Sequence, residues 1–186
     1  MVFALNDMPE YQPFPNDRGR NWRQGRLEVP VLLRSLGLSS APRMLEVGCG
    51  QGVALAALAR LRQPCQLVGV DIDPLAVAAA RRALDADRVD AEVRVADVRA
   101  LPFEDGSFDL VIDFGTLFHI ARADAGIAEI ARVLTLGGLL VHETKISQVL
   151  SHPIRGRARR VPWEVEPRLR AQRWAGLWAT RVRVGG

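Results

Sequence analysis

The sequence predicts an α/β fold, a doubly wound and mostly parallel sheet with helices on both faces. Two observations carry this. Short apolar runs alternate with helical patterns from about residue 43 to about residue 144. The first run ends in Gly48, Gly50 and Gly52 on alternate positions, and a helical pattern follows at once. Strand, glycine turn and helix start are the parts of a nucleoside-binding βα unit. Glycine lets the backbone turn sharply and come close to a ligand, and the helix N-terminus offers unpaired N–H groups to an anion.

Each element follows from its residues. Met44, Leu45 and Val47 read as a buried strand, and Val53–Leu61 as the helix behind the glycines. Gln66–Asp71 is a second apolar run, ending in an acid 19 residues beyond Gly52. A carboxylate at a strand tip can accept hydrogen bonds from both hydroxyls of a ribose. Asp73-Pro74 opens the helix Leu75–Leu84, with Asp73 as its N-cap and nothing more. Ala91–Ala96 alternates like a strand and ends at Asp97-Val98, and residues 101–108 form a loop with a turn at Asp105-Gly106. Asp109–Asp113 is a fourth strand, Ala123–Leu134 a helix, and Gly137-Gly138 turns the chain into a fifth strand, Leu139–Glu143.

The flanks are less patterned. Residues 1 to about 24 hold Pro9, Pro13 and Pro15 between Tyr11, Phe14 and Trp22, an irregular arm suited to act as a flap over the ligand site. Residues 27–36 carry a helical face closed by Gly37. At the other end, 167–177 reads as a helix and 178–184 as one strand.

Composition sets bounds. The 186 residues suffice for one domain, divided as arm (1–24), core (25–144) and basic C-terminal segment (145–186). No apolar run approaches the about 20 residues of a membrane helix, and the start of the chain lacks the pattern of a signal peptide. Cys49 and Cys65 offer neither a disulfide framework nor metal spacing, so no metal and a cytoplasmic location are expected. Lys145 is the only lysine; from Ser151 onward nine arginines face Glu164 and Glu166. The arginine-rich link 154–160 reads as a solvated loop, with an anion-recognising lid as the sharper option.

The motifs L-E-V-G-C-G-Q-G, V-G-V-D-I-D-P, A-D-V-R-A-L-P-F, S-F-D-L-V-I-D and I-A-R-V-L-T-L-G-G arrive in this order over roughly residues 43–144. The chain thereby resembles the class I S-adenosylmethionine-dependent methyltransferases of the small-molecule type, the group that includes quinone-ring methylating enzymes. The resemblance implies a Rossmann-like fold, S-adenosyl-L-methionine as cofactor and methyl transfer to O, N or C of a small molecule. It places Glu46, Gly48, Cys49, Gly50 and Gly52 at the methionine moiety, Asp71 at the ribose and Ile72 against adenine. Asp97 would accept from the adenine amino group, the Val98 N–H would face a ring nitrogen, and Asp113 would lie near the amino end of the cofactor and the acceptor. Three of these acids have a second reading: Glu46 as a turn-stabilising acid, Asp97 as a loop cap, Asp113 as a cap for the segment after it. His119 is the candidate base where the acceptor needs one, equally readable as a packing residue, with His142 and Glu143 behind it. His152 is given no role.

Two departures from the family pattern bear on function. Asp113-Phe-Gly-Thr lacks the Asn/Asp-Pro-Pro-Tyr type of motif found in amino methylases of nucleic-acid bases and glutamine side chains. The family closes its sheet with an antiparallel strand pair, and here that C-terminal pair is expected to be incomplete, leaving an edge that is short or completed by a partner chain in a homo-oligomer. Two rival functions stay open: an RNA-modifying methyltransferase, favoured by the basic C-terminal segment, and a non-catalytic protein that keeps the cofactor fold. A nicotinamide oxidoreductase is disfavoured, because the G-x-G-x-x-G spacing would need glycine where Val53 stands.

Overall fold

A computed structural model of the chain describes residues 18–31, 42–143, 169–171 and 179–184. The proline-rich start of the arm, the helix end at Gly37, His152 and the arginine-rich link lie outside them.

Five parallel strands form the centre: β1 (Arg43–Val47), β2 (Gln66–Asp71), β3 (Glu92–Val95), β4 (Phe108–Asp113) and β5 (Leu134–Glu143). Two more, β6 (Leu169–Ala171) and β7 (Ala179–Val184), complete a sheet of order β3-β2-β1-β4-β5-β7-β6, with β7 antiparallel to both neighbours. Helices α2 (Val53–Arg62), α3 (Pro74–Ala86) and α4 (Ala123–Val133) connect the parallel strands. The doubly wound α/β expectation therefore holds.

Strand parity divides the core in two. Met44, Leu110 and Val141 pack with Leu55 and Leu58 of α2 and Leu84 of α3. Leu45, Val111 and Leu140, each adjacent to one of these in its strand, pack with Ile127 and Ile130 of α4 on the other face. Strands buried on both sides must be apolar at nearly every position, which is why they read as continuous runs. Phe108, fully buried, is the largest of these side chains, and its loss would cost about 3–5 kcal/mol.

Local chemistry fixes the ends. Asp73 caps α3 by accepting from the N–H of Leu75 at 2.8 Å, and Pro74 occupies the first helical position. The loop before β4 is stapled by Arg132 of α4, which donates to the carbonyls of Leu101 (3.0 Å) and Phe103 (2.7 Å) and pairs with Asp105.

Three elements differ from their expected form. Helix α1 (Arg18–Arg23) occupies part of the expected irregular arm and continues through a wide π turn, Gln24–Glu28, to residue 31. Pro30 explains the widening: it has no N–H for the Arg26 carbonyl, its ring would clash there, and a looser turn relieves both. Strand β5 begins at Leu134 rather than beyond the Gly137-Gly138 pair, which lies inside it. Between Phe108↔Leu134 and Leu110↔Leu139 the register shifts, and Gly137 takes φ 78° to accommodate the bulge. Finally, Leu169–Ala171, expected in a helix, forms β6 and pairs with β7 through Leu169↔Val184 and Ala171↔Val182. Backbone groups of β7 left open on one side reward an extended partner more than the local helical preference rewards a helix. The edge is short, at three residues.

Candidate active site

The carboxyl ends of parallel strands gather at one side of the sheet, and the glycine turn sits there between β1 and α2. Gly48, Gly50 and Gly52 all have left-handed backbone, at φ 66°, 51° and 78°. The turn is pinned from within: the Cys49 N–H donates to the Val70 carbonyl and the Gly52 N–H to the Cys49 carbonyl, both at 2.9 Å. Gly52 then serves as N-cap of α2 with no side-chain cap and no acid in the first turn.

Asp71 ends β2 beside this turn. Its Oδ2 accepts from the Gly50 N–H and its Oδ1 from the Asp73 N–H, each at 2.9 Å. The carboxylate is buried, as is that of Glu46 on β1. Both acids converge on Cys49: burial pushes its thiol pKa up, and the negative charges of Glu46 and Asp71 push it further. Ile72 is half-buried next to Asp71.

Asp97 follows β3 and is gripped by Arg99. The guanidinium donates Nε to Oδ1 at 2.9 Å and Nη2 to Oδ2 at 2.6 Å, and the Arg99 N–H adds a third bond at 2.9 Å. These hydrogen bonds hold the Asp97 carboxyl below its usual range despite partial desolvation, with Arg122 adding a smaller pull. Val98 is buried beside it.

Asp113, at the tip of β4, is fully buried. Its Oδ1 accepts from the N–H of Thr116 at 2.7 Å, capping the short 3-10 turn Thr116–Phe118, which matches its alternative reading as a cap. Its Oδ2 lies 2.8 Å from Nδ1 of His142 on β5. His119, the candidate base, closes the turn through its N–H to the Thr116 carbonyl at 2.9 Å and is 8% exposed. Glu143 is buried at the end of β5.

Thus Glu46, the glycines, Cys49 and Asp71 come together in one place, Asp97 and Val98 lie at the end of β3, and Asp113 belongs to the turn after β4. Sequence reasoning missed three participants. Arg99 was legible in the Asp-x-Arg spacing on a loop. The pairing of Asp113 with His142 depends on a strand register that spacing does not reveal. Thr116, whose Oγ1 donates to the Val47 carbonyl at 3.0 Å, has no motif of its own. Among the described residues no group of acids, histidines and cysteines could hold a metal, and no helix is long and apolar enough to cross a membrane.

The carboxylates of Glu46 and Asp71 are buried beside the glycine turn, and the space beyond Gly50 is clear, with no atom within 4 Å of where a Cβ would stand.

Comparison with known proteins identifies relatives of the chain. Residues 45–142 match the family model described as a methyltransferase domain. Demethylmenaquinone methyltransferase of Thermus thermophilus is 40% identical over 109 residues, covering 57% of this chain and 49% of the relative. The methyltransferase solved in complex with the Haloferax volcanii Trm112 methyltransferase activator is 29% identical, with TM-score 0.59, over 68% of this chain and 53% of that one. A SAM-dependent methyltransferase from Aquifex aeolicus shares the fold at TM-score 0.74 and 17% identity, over 91% of this chain and 98% of that one. The chain spans about half or less of the length of the curated relatives it matches.

Proposed function

Because this chain belongs to the methyltransferase domain family, we propose that it transfers the methyl group of S-adenosyl-L-methionine to O, N or C of a small-molecule acceptor. The observation that carries the reading is the joint between Asp71 and the glycine turn, Oδ2 to the Gly50 N–H at 2.9 Å. It fixes a buried carboxylate beside backbone that is open at Gly50.

The cofactor, when bound, supplies a methyl group already activated on a sulfonium. The residues then have to bind, orient and exclude water, and orientation alone can supply about 7–11 kcal/mol in the best cases. Glu46 and the backbone of Gly48, Cys49, Gly50 and Gly52 would hold the cationic methionine end. Each Asp71 oxygen has a second lone pair beyond its backbone bond, enough to accept one ribose hydroxyl apiece. Ile72 would pack against adenine, the Val98 N–H would meet a ring nitrogen, and Asp97, fixed by Arg99, would accept from the amino group. Asp113 would border the acceptor through the turn it caps. For an acceptor that must lose a proton, His119 is the residue of this segment with suitable base chemistry.

Calorimetric titration tests this with S-adenosylmethionine, the Asp71→Ala variant and NAD as a control. The reading requires micromolar binding, weakened roughly 10–100-fold in the variant as charged hydrogen bonds are lost, and none for NAD. A folded protein that binds no S-adenosylmethionine would refute it.

A further inference from the structure

The ends of β4 and β5 carry a buried polar pair whose mutual contact the proposed reaction does not use. Parallel register sets Asp113 opposite His142, and the two side chains meet at 2.8 Å. Phe118 covers the imidazole, with ring centroids 4.9 Å apart and planes inclined by 27°. The other oxygen of Asp113 holds the N–H groups of Thr116 at 2.7 Å and Leu117 at 3.4 Å. Thr116 in turn donates its hydroxyl to Val47, the last residue of β1, and its side chain fills the space directly over Gly48. One chain of contacts therefore runs from β5, through the turn after β4, to the first glycine of the turn after β1.

Packing alone gives no reason for this arrangement. A buried carboxylate is costly to desolvate, and apolar residues of similar volume commonly serve stability as well or better. Its two backbone bonds both restrain one short segment, and that segment bears on Gly48.

We infer that His142 is a positioning residue that acts through Asp113 and Thr116 to hold the glycine turn in its cofactor-binding geometry. The inference rests on the reading of that turn as the cofactor's cradle. Without the imidazole, the Asp113 carboxylate loses the partner that fixes its rotation, its grip on the Thr116 and Leu117 N–H groups loosens, and Thr116 no longer presses on Gly48. The consequence falls on cofactor affinity, at a site reached only through the intervening residues.

Calorimetry with S-adenosylhomocysteine on the full chain tests it. His142→Leu and Thr116→Val are each expected to weaken binding about tenfold, and the double variant to be no weaker than either alone, because both break one chain. His142→Asn, whose side-chain N–H stands near the place of Nδ1, should restore most of the affinity, a rescue that general loss of packing would not give. Unchanged affinity in His142→Leu, or additive losses in the double variant, would overturn the inference. Should His142→Leu fail to fold, Thr116→Val and His142→Asn decide: normal affinity in Thr116→Val overturns it. A wild-type chain that does not bind S-adenosylhomocysteine overturns the proposed function and this inference with it, so the two failures are told apart.

Discussion

The Oγ1 of Thr116 lies 1.7 Å from where a Cβ on Gly48 would stand, with Thr116 Cβ and Cγ2 within 2.9 Å. No side chain fits between them. Gly48→Ala would add this overlap to the strain of left-handed backbone. Together these should cost about 2–4 kcal/mol, read as a lower urea midpoint. Adding Thr116→Gly should recover the overlap but leave the backbone strain. An unchanged midpoint in Gly48→Ala would contradict the close approach.

Gly50 should behave in the opposite way. A Cβ there meets nothing within 4 Å, so Gly50→Ala bears only the left-handed backbone, about 1–2 kcal/mol. The new methyl projects into the clear space over the turn, and cofactor binding should be largely lost while the protein stays folded. Retained affinity for S-adenosylhomocysteine in a folded Gly50→Ala protein would show that the ligand does not approach this backbone.

Much of this architecture is legible from residues that answer to one neighbour at a time. The parallel strands declare themselves because both their faces are buried, as Met44 and Leu45 illustrate by joining opposite halves of the core. The glycine turn declares itself because three left-handed positions leave a spacing that side chains cannot imitate. What the sequence hides depends on distant chain. Leu169–Ala171 becomes a strand only because β7 lies beside it, and His142 meets Asp113 only because a bulge near Gly137 sets the register. The burial of His119 likewise follows from the 3-10 turn, whose cap is a contact and not a motif.

Acid should weaken the start of the sheet. Arg43 grips Asp109 through its backbone N–H at 2.9 Å, Nε at 3.2 Å and Nη2 at 3.0 Å, holding that carboxyl below its ordinary value of 3.8. A depressed folded-state pKa gives stability that is complete above the ordinary value and is lost as pH falls through the lower one. Asp97, held down by Arg99, adds in the same direction. Asp109→Asn should therefore be less stable than wild type near neutral pH, and the gap should close as pH drops below about 4. Urea midpoints over this range check it. A gap independent of pH would refute the assignment.

The two cysteines should separate by reactivity. Cys49 is buried and its thiol is held protonated by burial and by the charges of Glu46 and Asp71, whereas Cys65 is exposed. A chromogenic disulfide reagent near neutral pH should titrate one thiol quickly and the second only in denaturant. Cys65→Ser should abolish the fast phase. Two fast thiols would mean that the glycine turn is open to solvent.

The π turn at Gln24–Glu28 has a further consequence. A groove of about 230 Å³ runs along this helix, lined on one side by Asn21, Trp22 and Gly25 and on the other by Gln51, Gly52 and Val53. One residue corresponds to about 100° of rotation in a regular helix. The wide turn already holds one residue more than a regular turn, so deleting one there would restore a regular helix with Arg18–Arg23 in phase, whereas inserting one residue just ahead of it would swing them by more than a quarter of a revolution while the sheet stays put. Trp22, now 62% exposed, would leave its place at the groove and another side chain would take it. Insertions of one residue, rather than substitutions, are then the economical way to re-phase the surface beside the glycine turn.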